Sequence, residues 1–145
     1  MRSKSATWFE VAVRYEKTSD DGEKKMISET YVVDALTCAE AESKVTMEMK
    51  EYISGEFTVS ATKTAVFKEV FFSDDDVDDF WYKVKLSLLT INEKTGKEKR
   101  TNVSYLSQAG SLKKCVVNTE EMMNTTLSDY DLISVQKTNV VDVFE

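Results

Sequence analysis

"VSATKTAVFKEVF" (residues 59–71) is echoed by "ISVQKTNVVDVFE" (residues 133–145), so a chain of 145 residues closes each of its halves on much the same phrase. An echo at that distance points to an internal repeat, and an offset of 73 to 74 residues carries one half onto the other. Trp8 falls on Trp81, Val11 on Val84, Val13 on Leu86, Gly22 on Gly96 and Tyr31 on Tyr105. Further along, Thr37 falls on Ser111, Met49 on Met123, Ser60 on Ser134, and the pair Lys63-Thr64 on Lys137-Thr138. These matches share one order and need a single one-residue shift.

Each half reads as strand, turn, strand, helix, strand. "WFEVAVRYEK" alternates apolar and polar residues, "TSDDGE" is turn material, and "SETYVVDA" resumes an extended pattern, which makes a hairpin. "TCAE" (37–40) is a capping box that predicts a helix over 37–53, with Ala41, Val45 and Met49 inward. In the second half Ser111 is the cap, and Leu112, Cys115, Val116, Thr119, Met122, Met123 and Leu127 form the expected apolar stripe. One half alone would be a small sheet under one helix, so the two are expected to share a core about a pseudo-two-fold axis. The expected fold class is α+β: a strand-strand-helix-strand unit duplicated, with about six mostly antiparallel strands and two helices. It forms one domain over 1–145, built of repeats at 6–73 and 80–145 and joined by an acidic linker at 74–79.

Composition narrows the chemistry. There is no histidine, which removes His general bases, His triads and His metal sites. Four glycines and no proline leave no phosphate-cradling Gly-rich loop. Cys38 and Cys115 match neither a zinc spacing nor a disulfide framework and read as packing residues. No apolar run reaches the length of a membrane span, and the N-terminus carries no signal core, so a cytoplasmic protein is expected. No catalytic residue, metal or cofactor is assigned.

Charge and aromatics supply the candidate sites. Phe9, Val11, Val13 and Tyr15, with Tyr82, Val84, Leu86 and Leu88, form the side that meets the helices, which turns Trp8 and Trp81 to the other face. An indole there either stacks on bases or packs against protein. From Trp81 to Lys114 stand eight basic residues against two acidic ones, a local charge of +6 in a chain of net charge −7. Lys83, Lys85, Lys99 and Arg100 on this hairpin are candidate phosphate ligands, with Trp81 or Trp8 as the stacking surface. Lys63-Thr64 and Lys137-Thr138 stand where the inward parity of each closing strand changes. They mark a bend, or bring two Lys-Thr pairs together on an anion. The Asp run at 74–79 reads as a solvated linker, with a phosphate-mimicking carboxylate array as the alternative.

The segments "TWFEVAVRYEK", "VVDALTCAEAE", "ISGEFTVS", "FWYKVKL" and "NVVDVF" resemble a small uncharacterised family of gut bacteria and their phages and mobile elements. The resemblance covers most of the chain; it implies a phage or mobile-element setting and carries no activity. The resulting expectation is a non-enzymatic binding protein that contacts nucleic acid or a nucleotide through its basic aromatic sheet surface. The alternative is an interaction or inhibitor protein acting on a protein partner through its acidic side; self-association stays open, and no membrane partner is expected.

Overall fold

A computed structural model describes residues 1–145. The first-half hairpin expected from alternation forms as β2 (Trp8–Thr18) and β3 (Lys24–Asp34), preceded by a short β1 (Arg2–Ser5). Its turn passes through Gly22 at φ 85°, a conformation that glycine adopts without a Cβ penalty. Helix α1 (Cys38–Tyr52) then starts on Thr37, whose Oγ1 accepts from the Glu40 N–H at 3.1 Å, while the Glu40 carboxylate accepts from the Leu36 N–H at 3.0 Å. The capping box is therefore real, with its return bond one residue earlier than the usual form. Strands β4 (Phe57–Thr64) and β5 (Phe67–Phe72) follow. The second half runs β6 (Phe80–Ile91), β7 (Glu98–Ala109), α2 (Leu112–Asn124), β8 (Asp129–Lys137) and β9 (Val140–Phe144), with its hairpin glycine, Gly96, at φ 69° and Ser111 capping α2.

The fold is α+β, with nine strands rather than about six, in two mixed sheets. One sheet has the order β4-β2-β3-β9 and the other β1-β5-β7-β6-β8. Each hairpin is flanked on one side by the antiparallel strand that follows its own helix. On the other side lies a parallel strand from the opposite half: β9 runs beside β3, and β5 beside β7. The compact units accordingly comprise residues 6–65 with 139–145, and residues 1–5 with 66–138. Their boundaries fall at the Lys-Thr pairs and not in the acidic segment.

This explains the parity change at 63–64 and 137–138. The chain does not turn over within one strand there; it leaves one sheet and enters the other. Separate bulges lie upstream, where the register shifts at Ala12/Val13 and at Lys85/Leu86. The pairing also corrects the alignment of the two pairs. Lys63 lies opposite Glu10, whereas Lys137 lies opposite Tyr82, one place away from the position that the Trp8 to Trp81 spacing assigns it. Because successive strand residues face opposite ways, Lys63 and Lys137 project from different faces of their sheets. They do not occupy equivalent sites.

Each unit has its own helix-covered core. Phe9, Val11, Val13, Tyr31 and Val33 meet Ala41, Val45 and Met49 in one; Tyr82, Val84, Leu86 and Tyr105 meet Cys115 and Met123 in the other. The apolar stripe of α2 differs from the expectation. Leu112 and Leu127 are exposed, and Asn118 is buried in their place. Cys38 is exposed rather than packed, while Cys115 is buried and its thiol is pushed up by that burial. No helix is long and apolar enough to cross a membrane.

Candidate functional site

The β6-β7 hairpin carries most of the predicted ligands. Cross-strand pairing sets Trp81 opposite Gln108, Lys83 opposite Leu106, Lys85 opposite Ser104 and Leu89 opposite Arg100. Alternation therefore puts Trp81, Lys83, Lys85 and Arg100 on one face, and Lys99, opposite Thr90, on the other. Residues 90–102 are all exposed, which makes the hairpin end a solvated two-stranded arm bearing Lys94, Lys97, Lys99 and Arg100 against Glu93 and Glu98. Arg100 is held by Asp131 at 2.6 Å. Lys85, on β6 ahead of that arm, is exposed and Lys83 is half-buried; neither forms an ion pair with an acidic side chain.

The stacking role fails. Trp8 and Trp81 are 1% and 2% exposed, so neither indole offers a face to a base. Trp81 instead meets Phe72 edge-on at 5.7 Å, and its carbonyl accepts from the Thr138 N–H at 2.9 Å. Tyr82 and Tyr105 are likewise buried. The Lys-Thr pairs are each engaged locally: Lys63 lies 3.2 Å from Glu10, and the Lys137 ammonium sits 3.6 Å over the Phe80 ring.

The acidic segment is not a uniform solvated run. Asp78 is buried; it accepts from the Ser73 hydroxyl, from the Gly110 N–H at 2.8 Å and from the Asn118 amide at 3.2 Å. Gly110 fits close beneath it, where an added Cβ would meet the Val77 carbonyl oxygen at 2.9 Å. Asp74 holds the N-terminal ammonium of Met1, and Asp75 lies 3.7 Å from Lys114. Asp74 and Asp75 remain at the surface in spite of these contacts, as do Asp76 and Asp79, so Asp78 is the one aspartate of the segment taken into the interior.

A further concave site escaped the sequence reading. At the end of the first hairpin, Tyr15, Glu29, Tyr31, Tyr52, Asp142 and Phe144 line a cavity of about 260 Å³. The Tyr15 hydroxyl donates to Glu29, and Tyr31 stacks on Phe144 with ring centroids 5.2 Å apart. The bond to Glu29, with burial and the Glu29 charge behind it, pushes the Tyr15 phenol up to about 12. Burial, then Glu29, pushes Tyr31 up too; burial, then Glu69, does the same for Tyr105. The available signal was Glu29 itself, a carboxylate at an inward position two residues from Tyr31. Asp142 and Phe144 were out of reach, because they arrive on β9 from the far end of the chain.

Raised phenols dictate a pH response. A group that keeps its proton in the fold contributes stability that is complete below its unfolded value, near 10, and is lost as pH rises from there through the folded value. Of the six tyrosines, three should therefore ionise late in a titration followed at tyrosinate absorbance, with stability declining between about pH 10 and 12. Glu29→Gln should return Tyr15 toward the ordinary range. Six phenols ionising together near pH 10 in folded protein would contradict this assignment.

The family described as a domain of unknown function, DUF4494, matches residues 7–145. The chain belongs to this family. The DUF4494 match runs through both sheets and both helices, from the residue before β2 to the end of β9, so the family unit includes both exchanged strands. No curated protein and no solved structure matches the chain.

Proposed function

We propose that this DUF4494 protein is a non-enzymatic binding protein whose β6-β7 arm contacts the phosphate backbone of nucleic acid. The carrying observation is the exposed hairpin end: Lys94, Lys97 and Lys99 stand on residues 90–102 with no ion-pair partner, and Lys85 extends the cationic surface down one face. A two-stranded ribbon of this kind fits the width of a duplex major groove, and lysines on both of its faces reach phosphates on either side. With Trp8 and Trp81 buried, the mechanism is charge pairing without base stacking, which predicts little sequence preference. The net charge of −7 opposes approach at long range, so the affinity belongs with nonspecific binding, about 10⁻⁴ to 10⁻⁶ M.

The matching strand orders and the paired bulges support reading the chain as a duplicated unit, of which only the second copy carries the arm. In the first hairpin, Asp20, Asp21 and Glu23 offset the nearby Lys24 and Lys25. The test is anisotropy titration of labelled single-stranded and duplex oligonucleotides at about 50 and 200 mM salt. The triple variant Lys85→Glu, Lys97→Glu, Lys99→Glu should bind at least about tenfold more weakly and shift the salt slope by about one per lost contact. Its melting temperature should barely move, since all three side chains are exposed. Absence of binding by the wild-type chain at low salt would sink the proposal. A stoichiometric protein partner that survives nuclease treatment would replace it with the interaction-protein reading.

A further inference from the structure

The cavity at the end of the first hairpin has a chemistry opposite to that of the arm. It is lined by four aromatic rings, of Tyr15, Tyr31, Tyr52 and Phe144, and by two carboxylates, Glu29 and Asp142. None of its lining residues is basic, and neither carboxylate has a Lys or Arg within ion-pair distance. Glu29 is half-buried, so its charge is screened less than a surface carboxylate's. Met49, Tyr52 and Ile53 belong to the end of α1, where the helix dipole adds partial negative charge. The cation of that last turn, Lys50, lines a different cavity.

Aromatic faces, uncompensated carboxylates and a helix C-terminus all favour the same occupant. We infer that this pocket binds an organic cation, of the alkylammonium class, in an aromatic cage closed by Glu29 and Asp142. Its volume of about 260 Å³ has room for roughly eight water-sized groups. That suits a trimethylammonium head group or a lysine-type side chain, and falls below the usual range for drug-sized ligands. Tyr52, 71% exposed, stands at the lip, so the head group enters from solvent with its chain trailing outward. The Tyr15 hydroxyl donates to Glu29, and the Val143 N–H donates to Asp142 at 2.8 Å; these bonds hold the two carboxylates in place.

The test is calorimetric titration of the intact chain with choline and with its neutral isostere 3,3-dimethylbutan-1-ol. Choline should bind and the isostere should bind at least about tenfold more weakly, because the shape is shared and only the charge differs. Tyr52→Ala should weaken choline about two- to fivefold, and Asp142→Asn by a similar factor. Both positions are exposed, so these variants remain usable if Glu29→Gln, expected to cost about tenfold, unfolds the protein. A trimethyllysine peptide that binds more than about tenfold tighter than choline assigns the site to a protein side chain, whereas equal affinity assigns it to a free small cation. Equal binding of choline and isostere, no binding of any cation at millimolar concentration, or affinity unchanged in both Tyr52→Ala and Asp142→Asn would overturn the inference.

Discussion

Asp78→Ala is expected to cost about 3 kcal/mol, a drop of roughly 6–12 °C in Tm for a chain of this size. The carboxylate is 2% exposed and has three donors: the Ser73 hydroxyl, the Gly110 N–H and the Asn118 amide. Removing it strands the Asn118 amide, itself 3% exposed, and the Gly110 N–H, and stranded buried donors cost more than the bond itself contributes. Burial alone would raise the Asp78 carboxyl; the bonds from Ser73, Asn118 and Gly110, with the Lys114 charge, outweigh it and hold the group below its ordinary range. A depressed folded value contributes stability that is present above the unfolded value, about 3.9, and lost as pH falls through the folded one. The wild-type protein should therefore lose stability below about pH 4, and that acid limb should flatten in Asp78→Asn. The neighbouring Asp76→Asn, at an exposed position, should change the melting temperature little. Equal melts of Asp78→Ala and wild type at pH 7 would refute the assignment.

Asp78 also shows where the sequence stops being legible. Five aspartates in six residues look alike as text, and nothing local marks the one that a glycine and an asparagine 32 and 40 residues away will hold. What was legible was local: the alternation that made both hairpins, the turn glycines, and the Thr37 and Ser111 caps that placed the start of each helix. The tryptophans were half legible. Alternation placed them away from the helices, but it says nothing of whether that face is covered, and both are buried.

The Lys-Thr echo misled for a reason visible in the strands. Identity favoured an offset of 74, whereas pairing beside the first hairpin strand sets 73, under which Glu69, Val70 and Phe71 fall on Asp142, Val143 and Phe144. The parallel partners of those residues agree: Glu69 lies opposite Tyr105 and Asp142 opposite Tyr31. Two shared residue types weighed more than face and register, although face and register are what a sheet selects. The destination of each closing strand was illegible altogether. Periodicity shows that a strand buries one face; it does not name the partner, which for Glu69 is Tyr105, in the other half, and for Asp142 is Tyr31, far back in the chain.

That exchange sets up the largest expected effect. Severed between Asp75 and Asp76, the chain gives two fragments that each lack a strand of their own sheet. The first keeps β4-β2-β3 without β9, and leaves β5 without β7; the second keeps β8-β6-β7 without β5, and leaves β9 without β3. Phe67, Val70 and Phe71, at most 5% exposed in the intact chain, lose their place beside β7, and the tilted ring contact of Phe71 with Tyr105 and the stacking of Phe144 on Tyr31 disappear. At about 1.5–3 kcal/mol for each buried side chain, those three residues alone account for roughly 5–9 kcal/mol, comparable with the whole stability of a domain. Neither fragment should show a cooperative melt or dispersed amide NMR shifts. An equimolar mixture should regain both, because each supplies the strand that the other lacks. If either fragment alone melts as cooperatively as the intact chain and near its Tm, then the exchanged strands are dispensable, and the two halves are independent domains that happen to be joined.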